Sequence, residues 1–146
     1  MTYKIIIFLF VLSTSIVVKS CFFIGKTQSV KARGQVFCNS VPYKNVIVKL
    51  MEEEFFTSND FLNGTYTDGD GYFSVRGACR EIRSIDPFLE IHHRCGVMPS
   101  NCFHLLKIYI PSNFIYSGPK SRVWFDIGII NLKPTYKTYK NYYCRR

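Results

Sequence analysis

Acidic residues are scarce in this chain. Ten Asp and Glu stand against nineteen Lys and Arg, a formal net charge of +9. No long segment carries clean i, i+3, i+4 apolar spacing, so little helix is expected. After the first twenty residues no second hydrophobic span follows, so the mature chain is not expected to be an integral membrane protein. No Pro/Gly/Ser-rich linker divides the remainder and no repeat of solenoid length is visible, which leaves one domain. No Ser/His/Asp set or paired carboxylate stands out, so no catalytic residue is assigned.

The opening stretch is a separate object. Met1 to Lys4 is a short positive start, and Ile5 to Val18 is an apolar run broken only by Ser13, Thr14 and Ser15. Val18 and Ser20 stand at the third and first places before a cut ahead of Cys21. Residues 1–20 therefore read as a secretory signal peptide. A membrane anchor needs roughly 20 apolar residues, and this run is shorter. A bacterial lipoprotein would also place a Cys after the cut, but Lys19 suits that signal poorly. Lys4 and Lys19 leave with the signal, so seventeen basic residues face ten acids, a net +7. Such a balance favours anionic partners: acidic lipid headgroups, glycans or acidic proteins. It also suits a basic secreted protein that is merely soluble. Nucleic-acid binding uses the same ingredients, and export argues against it.

Six cysteines remain after the cut: Cys21, Cys38, Cys79, Cys95, Cys102 and Cys144. An even count in an exported chain reads as disulfides, and 15 pairings are open. Asn63-Gly64-Thr65 is an N-glycosylation acceptor in a predicted loop.

What the chain has in plenty is strand material. Thirteen Phe and ten Tyr accompany many Val and Ile. The alternation predicts about seven strands, over 30–38, 45–51, 65–68, 72–76, 86–95, 103–110 and 123–132. Inward faces are Ala32, Gly34, Val36 and Cys38; Val46, Val48 and Leu50; Phe73 and Val75; Leu89, Ile91, His93 and Cys95; and Phe125, Ile127 and Ile129. Lys31, Arg33, Gln35 and Phe37 share the other face of the first strand. The segment between Glu54 and Asn63 reads as a polar loop with room for one helical turn. Seven short strands with turn signals between them are the pattern of a β-sandwich.

The turn Thr67-Asp68-Gly69-Asp70-Gly71 organises that pattern. Asp side chains bond their own backbone two residues on, and Gly accepts positive φ. An EF-hand with Gly71 at its sixth place would put Tyr66 first and Gly77 twelfth, where an acid and a bidentate Glu belong. The turn is therefore structural and no calcium is assigned to it.

Gly34-Gln35-Val36-Phe37-Cys38, Val46-Ile47-Val48-Lys49-Leu50 and Thr67-Asp68-Gly69-Asp70-Gly71-Tyr72-Phe73 together resemble the transthyretin-like family of secreted nematode proteins. The likeness continues through Ile85-Asp86-Pro87-Phe88-Leu89-Glu90-Ile91-His92-His93-Arg94-Cys95 and Ile108-Tyr109-Ile110-Pro111. It ends in Asp126-Ile127-Gly128-Ile129-Ile130-Asn131-Leu132. The resemblance implies an all-β fold, a seven-stranded Greek-key sandwich over 21–146 with its core at about 30–132. The family commonly carries Cys at the places of Cys38, Cys95, Cys102 and Cys144, and Cys21 and Cys79 read as additions. The pairs expected beside that resemblance are Cys95 with Cys102 across their short loop, Cys38 with Cys144, and Cys21 with Cys79. The last pair could instead bridge two chains. At least one family member is held to bridge phosphatidylserine on dying cells to an engulfment receptor, and no ligand residue carries over from it.

His93, Cys95, Cys102 and His104 have the spacing of a zinc set, but oxidised cysteines leave too few ligands, so no metal and no cofactor are assigned. Hydroxyisourate hydrolases share the fold and end in a Tyr-Arg-Gly-Ser tail. This chain ends Tyr142-Tyr143-Cys144-Arg145-Arg146 and lacks it. The basic, Tyr-rich tail offers Lys137, Lys140, Arg145 and Arg146 as a candidate binding surface. The expectation is a secreted, non-enzymatic binding protein, a monomer or small oligomer, engaging an anionic lipid surface, a receptor or a host protein. The alternative is a carrier of a small hydrophobic ligand in an oligomer with a channel between subunits.

Overall fold

Thr67 and Asp68 show how local chemistry sets this architecture. In a computed structural model, which describes residues 21, 24–55, 57–96, 101–132 and 142–144, Asp68 Oδ1 accepts the backbone N–H of Asp70 at 3.0 Å and of Tyr72 at 2.8 Å. Gly71 takes φ +79°, and a Cβ there would meet the Val36 carbonyl oxygen at 2.3 Å. Thr67 is buried; its hydroxyl donates to Tyr43 O at 2.6 Å and accepts from Val46 N at 2.9 Å. The Asp turn thus closes a hairpin-like reversal while Thr67 ties it to the opposite loop.

Seven strands of six or more residues follow in order: β1 (Lys26–Cys38), β3 (Ile47–Glu52), β4 (Asp60–Tyr66), β5 (Tyr72–Glu81), β6 (Pro87–His93), β7 (Cys102–Tyr109) and β9 (Phe125–Leu132). Three short pieces, β2 (Val41–Pro42), β8 (Tyr116–Ser117) and β10 (Tyr142–Cys144), complete the strands of the described residues. One sheet centres on β1, which pairs with β5, β2 and β8 antiparallel and with β9 parallel. The other has the order β10-β7-β6-β3-β4, all antiparallel. The chain crosses to the second sheet for β3 and β4, returns beside β1 for β5, crosses again for β6 and β7, comes back to β1 with β8 and β9, and reaches the second sheet once more with β10. This is the two-layer Greek-key arrangement implied by the resemblance.

The core lies between the layers. Val30, Ala32 and Val36 of β1 meet Val48 and Leu50 of β3, Phe73 and Val75 of β5, and Leu89 and Ile91 of β6, each at most 5% exposed. Burying one such side chain is worth about 1.5–3 kcal/mol for the larger ones. The inward faces read from alternation are these faces.

Three local expectations are corrected. The segment read as a polar loop holds β4, which begins at Asp60 and pairs with β3. It is an edge strand that buries only one side, with Leu62 packed on the core, so its sequence carries little apolar signal. On β9 the inward series breaks after Ile127. Gly128 sits at φ +67° and the β1–β9 register shifts between Arg33 and Gln35. That bulge turns Ile129 out, 69% exposed, and brings Ile130 and Leu132 in.

The third correction concerns the disulfides. Cys21 pairs with Cys79 as expected, but Cys38 pairs with Cys95 and Cys102 with Cys144. Cys95 follows the inward face of β6 and so points at the other sheet, where Cys38 closes β1; their Cα atoms are 5.6 Å apart. Cys102 and Cys144 are direct cross-strand partners on β7 and β10. Alternation therefore overrides the short loop between Cys95 and Cys102.

Candidate functional site

β1 and β5 are registered so that Lys31 stands opposite Arg76 on the outer face of the first sheet. Arg33 lies two residues along β1 on the same face. Trp124, in the segment just before β9, lays its ring among all three. Lys31 Nζ is 4.7 Å from the ring centroid, Arg33 Cζ 5.7 Å and Arg76 Cζ 6.0 Å. Cations over an indole face are attracted by its quadrupole. A cleft of about 470 Å³ shares Lys31 and Arg76 with this group and is lined also by Gly77, Pro119, Lys120 and Ser121 among others.

The charge in this patch is mostly unbalanced. Arg33 Nε bonds Asp126 Oδ2 at 2.8 Å. The Gly128 backbone N–H and then Arg33 hold the Asp126 carboxyl below its usual range. Among the described residues, no carboxylate lies within 4.0 Å of Lys31, Arg76 or Lys120. Like charges directly opposite on adjacent strands are destabilising, by a few tenths of a kcal/mol. The Trp124 ring, in contact with both cations, offsets that repulsion while leaving their charge unneutralised.

The second sheet carries a different surface. His92, Phe103 and Tyr143, from β6, β7 and β10, form a ladder with centroids 5.1 Å and 5.8 Å apart. It borders an open cleft of about 760 Å³, with Tyr43, Tyr66, Lys49 and Arg94 at its walls. Beneath this face, His93 and His104 are nearly fully buried, with ring centroids 5.3 Å apart. Burial, then the neighbouring His104, pushes His93 down to about 4, and burial lowers His104 as well. The Cys95 backbone N–H donates to His93 Nδ1 at 3.3 Å, which fits a neutral ring.

The structure thus brings His93 and His104 together but sends Cys95 and Cys102 to separate disulfides, so the zinc set is not assembled. Asn63 lies on strand β4 and not in a loop. Its Nδ2 donates to Arg76 O at 2.7 Å. Lys137, Lys140, Arg145 and Arg146 and the signal over 1–20 lie outside the described residues. The sequence points to cations of the tail as the binding surface and does not single out Lys31, Arg76 and Trp124. The signal available was the basic outer face of β1, which needed the β1–β5 register to gain its partner.

A family model described as transthyretin-like matches residues 33–111. The chain is 33% identical over 127 residues to transthyretin-like protein 2 of Caenorhabditis elegans, covering 82% of this chain and 84% of that one. It is 36% identical over 120 residues to transthyretin-like protein 5 of the same worm, covering 80% and 85%. It is also 36% identical over 116 residues to transthyretin-like protein 1, covering 75% and 74%. A crystal structure of a 9R-lipoxygenase from Cyanothece overlays 71% of this chain and 16% of that one at 18% identity, with a TM-score of 0.40, too distant a likeness to carry an argument. With the family model spanning 33–111 and these relatives each covering three quarters or more of the chain, the chain belongs to the transthyretin-like family.

Proposed function

We propose that residues 21–146 form an exported, non-enzymatic binding module, released from the leader 1–20, that docks on anionic membrane surfaces through Lys31, Arg76, Lys120 and Trp124. The observation that carries this reading is the unbalanced Lys31–Arg76 pair facing an indole ring. Basic residues close to an acidic leaflet contribute about 1 kcal/mol each, and Trp favours the headgroup region. Three disulfides support export, since they persist in oxidising compartments.

The test is sedimentation with vesicles of phosphatidylcholine with and without phosphatidylserine, at low and high salt. Binding should need phosphatidylserine, weaken with salt, and fall by about tenfold or more when Lys31 and Arg76 are both made Gln. A companion variant makes Lys137, Lys140, Arg145 and Arg146 all Gln. If that variant loses binding while the Lys31/Arg76 variant keeps it, the tail and not the sheet face is the docking surface.

The ladder of His92, Phe103 and Tyr143 favours a second reading, a carrier of a small aromatic or hydrophobic ligand. In transthyretin that role requires an oligomer with a channel, so a strict monomer on gel filtration removes it.

A further inference from the structure

The chain is short of acids, yet several of them meet at one place. Glu52 ends β3, Glu54 follows it, Glu81 ends β5, and Asp60, the cross-strand partner of Glu52, opens β4. One carboxylate oxygen from each of Glu52, Glu54 and Glu81 lies within 4.8 Å of the others, and Asp60 presents an oxygen within the same distance of Glu52. The floor beneath them is the Cys21–Cys79 disulfide. Cys21 Sγ is 3.9 Å from Glu52 Oε2 and Cys79 Sγ is 3.8 Å from Glu81 Oε1.

Glu52 is the member that asks for an explanation. It is only 4% exposed. Besides the neighbouring carboxylates, its side chain meets the Cys21 sulfur, and a disulfide sulfur has no proton to give. No Lys, Arg or His nitrogen among the described residues comes within 4.0 Å of Glu52, Glu54 or Glu81. Lys26, opposite Glu81 on β1, is included in that statement. A buried carboxylate without a donor or a side-chain counter-charge is costly, and the α-amino group freed at Cys21 by removal of residues 1–20 supplies at most one positive charge against three carboxylates. Burial first, then Glu81 and the other acids, pushes its carboxyl up to about 8.

We infer that Glu52, Glu54 and Glu81, with Asp60 at the rim, form a binding site for a divalent cation of the calcium class. The donors are all hard oxygens, since both sulfurs nearby are oxidised, so zinc and copper are disfavoured. Calcium sits about 2.3–2.6 Å from its oxygens, so oxygens on opposite sides of it are about 4.6–5.2 Å apart. The oxygens of Glu52, Glu54 and Glu81 all lie within 4.8 Å of one another, close enough for one such ion to reach them. The site is separate from the Asp68 turn, whose carboxylate is already taken by the backbone of Asp70 and Tyr72. A cation here would join the ends of β3 and β5, which belong to different sheets, next to a disulfide that fixes the same corner.

Isothermal titration of the oxidised mature chain with calcium chloride, after chelator treatment, tests this. One calcium per chain should bind, more tightly than magnesium. Glu54→Gln and Glu81→Gln are partly exposed changes that should each weaken binding about tenfold or more, because affinity tracks ligand charge. Glu53→Gln, whose carboxylate turns to Lys107 and Tyr109, should bind as the parent does. Glu52→Gln should melt higher than the parent without calcium and lose the calcium-dependent rise in melting temperature. No heat of binding up to low-millimolar calcium overturns the site. Equal calcium binding by the parent and by the Glu54 and Glu81 variants overturns it as well.

Discussion

Lys31 and Arg76 stand directly opposite one another on β1 and β5, two cations on one face of a sheet. The indole of Trp124 lies close to both, 4.7 Å from the Lys31 nitrogen and 6.0 Å from the Arg76 guanidinium carbon. Cross-strand neighbours of opposite charge stabilise a ladder, and the same positions with like charge oppose it. The Trp124 ring offsets part of that repulsion and no carboxylate among the described residues does, so the pair leaves positive charge available to a partner.

Arg76→Glu separates the two roles. It replaces repulsion with attraction to Lys31 and loses only the most distant of the three ring contacts. Stability to urea should rise by about 0.5 kcal/mol. Binding to phosphatidylserine vesicles should be lost in the same variant. A variant that binds like the parent, or one that unfolds more easily, would break the link between the charged pair and docking.

The buried imidazoles make a prediction about pH. His93 has its folded value lowered from 6.5 to about 4, through burial and then the adjacent His104. Between those values the unfolded chain binds more protons, so stability rises with pH there and is lost on acidification. The His93 share amounts to on the order of 3 kcal/mol, complete only below about pH 4. Glu52, raised from 4.5 to about 8, acts in the opposite sense between those values and gains stability as pH falls. The measurement therefore belongs in a Glu52→Gln background. There the urea midpoint should drop steadily from about pH 6.5 to pH 4. Adding His93→Gln should reduce that drop to the part that His104 contributes, whereas a midpoint already level in the single variant would show that His93 is not held neutral.

Much of the fold could be read from residues. The alternation in β1, β3, β5 and β6 placed Val36, Leu50, Val75 and Ile91 inside, because a sheet with one packed face writes its orientation into every second residue. Two kinds of information were missing. An edge strand such as β4 needs little apolar content, and the bulge at Gly128 changes phase without any local apolar cue. The disulfide pairs and the Lys31–Arg76–Trp124 group depend on register between strands far apart in sequence. Lys31 and Arg76 were both visible as outward cations, but only the pairing of β1 with β5 makes them neighbours. The acids of Glu52 and Glu81 were hidden for the same reason, since they lie on strands of different sheets.

The turn at Asp68 offers the sharpest check on how sequence sets structure. Two glycines flank Asp70 and look equivalent in the sequence. Gly69 has open space where a Cβ would go, while at Gly71 the φ of +79° and the Val36 oxygen at 2.3 Å both forbid one. That oxygen belongs to backbone that accepts the Tyr43 N–H at 2.8 Å, and the Val36 N–H in turn donates to Gly71 O at 2.8 Å. It cannot retreat without breaking the contacts that join β1 to the turn. Gly71→Ala should therefore cost about 2 kcal/mol or more, combining left-handed strain with the clash. Gly69→Ala should stay within about 0.5 kcal/mol of the parent. Urea melts of the two variants, run side by side, decide the matter: equal losses would mean that the turn is not clamped to β1 as described. A loss at Gly71 alone would show that one backbone contact, and not general turn composition, selects glycine here.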